Sequence, residues 1–289
     1  MDYSNYPRTD VYYGGTERKV GILIAGREHI VKFRKRDEFR IRNNHISEYL
    51  GSRVFNMLGM QAQETFLGTF QEEQVVVCRS FLEPSDQFVP FNEVGESTLE
   101  QDKEQYQYDY QDIMRMLRDN SKLTDVQETI ASFWDMYMID ALLGNFDRHG
   151  ANWGFVKRNN TYELAPVFDN GSCLYPNMTD DSEARAIIAS PAETDRRVYQ
   201  FPTSQVKLHG RKSSYYDVIA SLEFNDANDA LERIAPRVQK NLGGIHDLVE
   251  SADFASGALK LFYHHMLDER YRKIINAPYR ALTGGDHEE

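Results

Sequence analysis

Cysteine is nearly missing from this chain. Cys78 and Cys173 are the only two in 289 residues, and neither has the paired spacing of a metal knuckle. That excludes a disulfide framework and a structural zinc site. No stretch approaches the roughly eighteen consecutive apolar residues of a membrane-spanning helix. The opening MDYSNYPRTDVYYGG has no apolar centre of the kind a secretory signal needs. Positive charge is in deficit as well: the formal net charge is −12. Broad electrostatic binding to nucleic acid or anionic lipid is therefore not expected. A reducing cytoplasm is the expected setting, and export without a signal peptide is compatible with it. There is no internal repeat and no low-complexity tract.

What is present is the balance of a soluble globular protein, with 41% hydrophobic and 27% charged residues. The length suits one large domain or two lobes with a substantial core. The first eighty residues read as strands with one helix. KVGILIA and EHIVKF form a hairpin, NHISEYLGSRVFNMLGM carries Ile46, Leu50, Val54 and Leu58 at helical spacing, and ETFLGTF and QVVVCRSFL flank a polar turn. EPSDQFVP reads as a linker. Beyond it the chain turns mostly helical: DYQDIMRMLRDN is amphipathic, and DVQETIASFWDMYMIDALLG is strongly apolar, with Trp134, Met136, Tyr137 and Met138 in its core. NWGFVKR and TYELAPVF form a second hairpin, and residues 171–212 read as a long irregular segment. The rest, including ANDALERIAPRVQKNL and GIHDLVE, reads as helices before a frayed TGGDHEE tail. The expected architecture is α+β and bilobal: a β-rich lobe over 1–82, a linker over 83–91 and a helical lobe over 92–289. A ligand belongs in the cleft between the lobes.

The chemistry gathers in LLGNFDRHGANWGF, residues 142–155. Here an apolar helix gives way to a loop bearing Asp147, His149 and Asn152. Asp169 comes just after the second strand of the next hairpin, in APVFDNGS. A hairpin returns the chain to its starting point, so Asp147, Asn152 and Asp169 should converge. Two carboxylates and an amide oxygen are hard ligands, suited to Mg²⁺ on a phosphate-bearing substrate. They divide into two jobs: one carboxylate orients or deprotonates a nucleophile, and the other joins the asparagine on the metal. Phosphoryl transfer also needs a cation and backbone N–H groups around the phosphates. Gly14 and Gly15 in YYGGTERK, Lys32 in the second strand and Glu48 on the next helix are the candidates, with Glu48 placed to pair with Lys32.

Each feature also has an ordinary reading. A lone Asp is usually a turn residue, a strand lysine usually faces solvent, and Gly-Gly is usually a turn. His264-His265 reads as helix packing rather than a metal site. The basic run 27–42, with seven Lys or Arg in sixteen residues, is either a solvated connection or a headgroup site.

Taken together, Asn145-Phe146-Asp147-Arg148-His149-Gly150-Ala151-Asn152 and Asp169 resemble the N-x-D-x-H-x-x-N segment and metal Asp of the HipA-like bacterial serine/threonine kinases. The resemblance covers essentially the whole chain and is strongest at these residues. It implies a kinase-like fold and ATP and Mg²⁺ as cofactors. It also implies Asp147 as catalytic base with His149 supporting the loop, and Asn152 and Asp169 as metal ligands. Lys32, paired with Glu48, would contact the ATP phosphates. Gly15, Thr16 and Lys19 would lie over the terminal phosphates, and a hinge at Arg79-Ser80-Phe81 would meet adenine through its backbone.

With Lys32 so near the start, the extra N-terminal subdomain of the larger members is not expected. The chain resembles the short, stand-alone, CtkA-like type, without a DNA-bound role. The resemblance brings a toxin–antitoxin context and an unidentified protein substrate, and it leaves open an antitoxin or other regulatory partner. Autophosphorylation is expected at Thr16 or among Thr179, Ser182, Ser190, Thr194 and Ser204, near Arg185, Arg196, Arg197 and Arg211. Two other readings remain: a kinase for a lipid or other non-protein acceptor, and a pseudokinase serving as a binding module.

Overall fold

Apolar and β-branched residues in KVGILI and REHIVKF build β1 (Lys19–Ile24) and β2 (Arg27–Phe33). They join through Ala25-Gly26, where both φ angles are positive, the backbone of a two-residue hairpin turn. Next come helix α1 (Asn44–Met57), β3 (Thr65–Phe70) and β4 (Glu73–Arg79). The four strands form an antiparallel sheet in the order β1-β2-β4-β3. Lys19 and Lys32 are cross-strand partners in it, so their side chains share a face. The computed structural model describes residues 1–10, 18–38, 40–94, 108–118, 125–159 and 161–284.

Strand β5 (Gln87–Pro90) lies within the stretch expected to be a linker, and the one-turn α2 (Phe91–Val94) begins at its last residue. After β6 (Tyr108–Asp109) come α3 (Tyr110–Arg118), α4 (Val126–Leu143), β7 (Gly154–Arg158) and β8 (Thr161–Leu164). The polar, proline-bearing 83–91 stretch is ordered because β5 pairs with β7, giving a sheet in the order β5-β7-β8. The approach is tight: a Cβ on Gly154 would lie 2.3 Å from the Val89 carbonyl oxygen, so only glycine fits.

The segment 171–212 is not irregular. It holds α5 (Asp181–Ile188), α6 (Pro191–Asp195), a π-helical turn over Arg196–Gln200, β9 (Thr203–Leu208) and the start of β10 (Arg211–Ser214). These elements are too short to show a period, but their caps are plain. Asp180 accepts from the N–H groups of Ser182 and Glu183, and Ser190 accepts from Glu193 with Pro191 at the first helical position. Strands β10, β9 and β6 form a third sheet, with β6 parallel to β9.

The chain ends in α7 (Tyr215–Ser221), α8 (Asn225–Glu250), α9 (Gly257–Arg270) and α10 (Ala277–Thr283). The two helices expected over 227–242 and 244–250 are one. Two glycines cost the helix roughly 1 kcal/mol each relative to alanine, and burial of Ile245 and Val249 offsets this. Gly244 also lets Met57 of α1 approach, since a Cβ there would lie 3.0 Å from its methyl group. The tail beyond residue 284 lies outside the described residues.

Two apolar clusters form. A small one holds Tyr3, Ile22, Val31, Phe33, Phe70, Val75 and Val77 on one face of the first sheet. The large one runs through the helices and takes in Ile46, Leu50, Val54 and Phe55 of α1. Helix α1 therefore packs as part of the helical core, although the chain reaches it through the first sheet. Polar contacts fix it there. Asn170 donates to the Ser52 hydroxyl at 2.9 Å, and a Cβ on Gly51 would meet the Asn170 side chain at 2.7 Å. The backbone N–H of Asn43 donates to Pro176, its side chain donates to the Met178 carbonyl, and Gln63 donates to Val167.

Candidate active site

Helix α4 delivers the loop. Asp125 caps its N-terminus by accepting from Glu128, and Trp134, Met136, Tyr137 and Met138 are buried along it. It ends at Gly144, whose φ of 63° is the left-handed stop that favours glycine. Asp140, buried in the last turns, organises the loop beyond. It accepts from the Asn145 side chain at 2.8 Å and from Arg148 at 2.9 Å. Asn145 in turn accepts from the Asp147 backbone N–H at 3.0 Å, and its own carbonyl accepts from the Tyr215 hydroxyl at 2.9 Å.

Arg148 is the hub, only 6% exposed. Besides Asp140, its guanidinium donates to the backbone carbonyls of Asn152 and Phe168 and to the side-chain oxygen of Asn170. It thereby ties the loop of Asp147 to both neighbours of Asp169. Burial opposes its charge, but the Asp140 carboxylate more than compensates and holds it protonated. Sequence reasoning assigned no role to Arg148. Its position inside the motif was visible, whereas its partners are spread over residues 140–170.

Asp147, Asn152 and Asp169 converge as the hairpin argument required. The Asn152 amide donates to the Asp147 carbonyl at 2.6 Å, which turns its Oδ1 away from that bond and leaves it available as a ligand. Burial pushes the Asp147 carboxyl above the usual range; His149 opposes the shift and the Asp169 charge adds to it. His149 Nε2 lies 3.8 Å from Asp147 Oδ1, and its Nδ1 accepts from the Ala151 N–H at 3.2 Å. That bond places the neutral ring's proton on Nε2, facing the carboxylate.

Asp169 sits at φ 56°, a left-handed conformation that is strained for a non-glycine residue. Burial works against its charge, yet the ammonium groups of Lys32 and Lys19 prevail and hold the carboxyl down to about 2. Lys32 Nζ lies 3.2 Å from Asp169 Oδ1 and 3.2 Å from Glu48 Oε1. Lys32 and Glu48 are both buried, so this is a fixed cation rather than a solvated strand lysine. Gly171 fits beneath Glu48, where a Cβ would lie 3.2 Å from Oε2.

At the expected hinge, the Arg79 backbone is already engaged: its N–H donates to Glu64 and its carbonyl accepts from Gln63. The Ser80 N–H donates to Glu28. Phe81 packs against Phe88 and Phe168, forming an aromatic wall beside the segment that carries Asp169. Gly14, Gly15 and Thr16 lie outside the described residues. Among the described residues no cluster of three His, Cys, Asp or Glu side chains could hold a metal. One carboxylate and one amide oxygen, completed by phosphate oxygens and water, is the set Mg²⁺ commonly takes.

The profile of the HipA-like C-terminal domain matches residues 11–246. The chain belongs to this HipA-like family. It is 35% identical over 277 residues to the serine/threonine-protein kinase CtkA of Helicobacter pylori, spanning 93% of this chain and 84% of that one. The crystal structure of the H. pylori proinflammatory kinase CtkA superposes with a TM-score of 0.91 at 32% identity, covering 100% of this chain and 99% of that one. HipA of Shewanella oneidensis, solved with HipB and operator DNA, gives a TM-score of 0.55 at 17% identity over 98% of this chain and 67% of that one. That match shows the fold alone; the antitoxin and the DNA belong to that complex.

The HipA-like resemblance read from the motif is thus borne out, with serine/threonine kinase as the class of enzyme and a small sheet region beside a larger helical part as the fold. A kinase of this family uses ATP and a divalent metal. Among the described residues no helix is long and apolar enough to cross a membrane.

The expected hydroxyls in 179–204 differ in access. Thr179 and Ser182 are exposed. Thr194 and Ser204 are buried, the former hydrogen-bonded to the Ile187 carbonyl and to His265. Ser190 is spent as the cap of α6.

Proposed function

We propose that this protein transfers the γ-phosphate of Mg·ATP to a serine or threonine hydroxyl of a protein. The observation that carries the reading is the arginine-centred junction. Arg148 holds the Asp147 loop and the Asp169 segment in one rigid unit, and the Lys32–Glu48 pair meets that unit at Asp169. Asp169 and the Oδ1 of Asn152 would hold the metal, and Lys32 would place its charge on the phosphates. Lys19, on the same sheet face, would act on the outer phosphates. When bound, the metal neutralises charge that develops on the transferring group. Asp147 accepts the proton of the acceptor hydroxyl at its carboxylate, and its raised proton affinity suits that task. His149 keeps the carboxylate oriented from Nε2. With the Arg79 and Ser80 N–H groups engaged and the Leu82 N–H donating to the Ser80 hydroxyl, the adenine contact moves to Phe81.

The same chemistry supports autophosphorylation, with Thr179 and Ser182 as the accessible hydroxyls of the segment after Asp169. The deciding experiment incubates the protein with γ-labelled ATP and Mg²⁺ in three arms: protein acceptors, lipid vesicles and no acceptor. Label on protein, with autolabelled peptides mapping to 179–182, is the expected result. Label on lipid alone, or none in any arm, refutes the proposal.

A further inference from the structure

Apart from Lys32, the basic run 27–42 takes no part in the junction around Arg148, nor do the two arginines after α6, yet the fold brings Arg40 and these arginines together. The loop between β2 and α1 crosses to the helical region and is fixed there by Asn43 on Pro176 and Met178. It carries Arg40 to the rim of a cavity of about 210 Å³. Phe146, the residue immediately before Asp147, lines that cavity together with Met178, Arg196, Arg197 and Phe201. The Phe146 and Phe201 rings stack at 6.0 Å, and Phe201 is 45% exposed despite its size.

The cavity is built rather than incidental. The Arg197 carbonyl accepts from the Tyr175 hydroxyl at 2.6 Å and from the buried Arg270 at 2.7 Å, which fixes the turn that presents both arginines. Arg197 is neutralised by Glu193 at 2.6 Å. Arg40 meets Glu183 only loosely, at 3.9 Å. The exposed Arg196 guanidinium has no ion-pair partner among the described residues. Lys35, on the same loop as Arg40, lies close enough to Asp147 to act on its charge. Three arginines against the one carboxylate of Glu183 line the cavity, an excess of positive charge on a molecule of net charge −12, and it would favour anionic ligands by local field.

Resting on the kinase reading, we propose that this cavity is the acceptor-recognition site: it takes a bulky apolar side chain of the substrate protein against Phe146 and Phe201, and an adjacent anionic side chain on Arg40 and Arg196. The enzyme then selects hydroxyls in acidic segments. The anion is a carboxylate or a phosphate already present on the substrate, since both match guanidinium geometry.

The test uses peptide libraries with a central Ser or Thr and a fixed apolar residue, differing in one neighbour: Asp, phosphoserine, Ala or Lys. The expected result is a kcat/KM at least about tenfold higher for the Asp or phosphoserine arm than for Lys, a difference of about 1.4 kcal/mol. Whichever of the two is preferred names the anion. In the Arg40→Glu/Arg196→Glu double variant the preference should invert, with the Lys library gaining. That gain cannot come from misfolding. Equal rates in all arms, or an unchanged preference in the double variant, overturns the proposal while leaving kinase activity standing. If no library accepts phosphate, fluorescence anisotropy with Ser→Ala versions still reads the cavity. Retention of the acidic peptide by the wild type and not by the double variant upholds the site and faults the transfer reading; no retention overturns the site as well.

Discussion

Arg148 donates to the side-chain oxygen of Asn170, twenty-two residues further on, and the same guanidinium holds Asp140 on the preceding helix. One buried cation thus spans the helix that enters the site and the segment that leaves it. Breaking such a pair strands a buried charge, which typically costs roughly 3–5 kcal/mol. Arg148→Met should lower the stability by that amount in urea denaturation at pH 7, because Asp140 keeps only Asn145 as a partner for its charge. A loss below about 1 kcal/mol would show that the junction does not hold the fold together.

Asp147→Asn separates proton acceptance from binding. The variant should fold and keep its affinity for Mg·ATP, while phosphate transfer falls by about 10²–10⁴. Calorimetry with nucleotide and a label-transfer assay on one preparation provide the check. Near-normal turnover removes Asp147 from its role.

Asp169→Asn acts on the other half of the site. Disturbing even the outer partners of a metal ligand costs about 10–100-fold in affinity. Loss of this ligand's full charge should therefore weaken Mg-dependent nucleotide binding by at least about tenfold. It also removes the partner Lys32 finds at 3.2 Å. An unchanged magnesium dependence would contradict the assignment.

The acid limb of the kcat/KM profile should report Asp147. The group works as a base only when deprotonated, and its proton affinity is raised by burial. Activity should therefore fall, as pH drops, at a midpoint above the ordinary aspartate value of about 3.9. Asp169, held at about 2, stays charged throughout that range. The Lys35 charge lowers the Asp147 value, so Lys35→Met should move the limb to still higher pH. A limb that stays in place in this variant argues for a different titrating group.

Gly154→Ala tests how tightly the hairpin after the loop is seated. The new Cβ would collide with the Val89 carbonyl, and overpacking of this kind costs about 1–3 kcal/mol. Differential scanning calorimetry should show the lower transition, and a silent substitution would mean the β5–β7 pairing gives way easily.

How much of this was legible in the sequence depended on the range of the interaction. Asp147, Asn152 and Asp169 could be grouped because a helix end and a hairpin are local signals, and the hairpin's geometry closes the distance between them. Lys32 and Glu48 could be paired because a strand and the next helix are close in the chain. The service of Arg148 could not be read, since its partners are spread from helix α4 through the loop after it to the segment beyond β8. Strand β5 was hidden because its edge pairing with β7 lies outside its own polar, proline-bearing residues. Helices α5 and α6 were hidden by their length, although Asp180 and Ser190 stood in capping positions.

The seating of α1 has a consequence for control. Swinging that helix outward would carry Glu48 away from Lys32. It would also strand the Asn170 amide without the Ser52 hydroxyl and open a gap between Gly51 and the Asn170 side chain. Dislodging α1 would therefore break the Lys32–Glu48 pair and the Asn170–Ser52 hydrogen bond in one movement, so the cation of the site and the segment after Asp169 answer to the same helix.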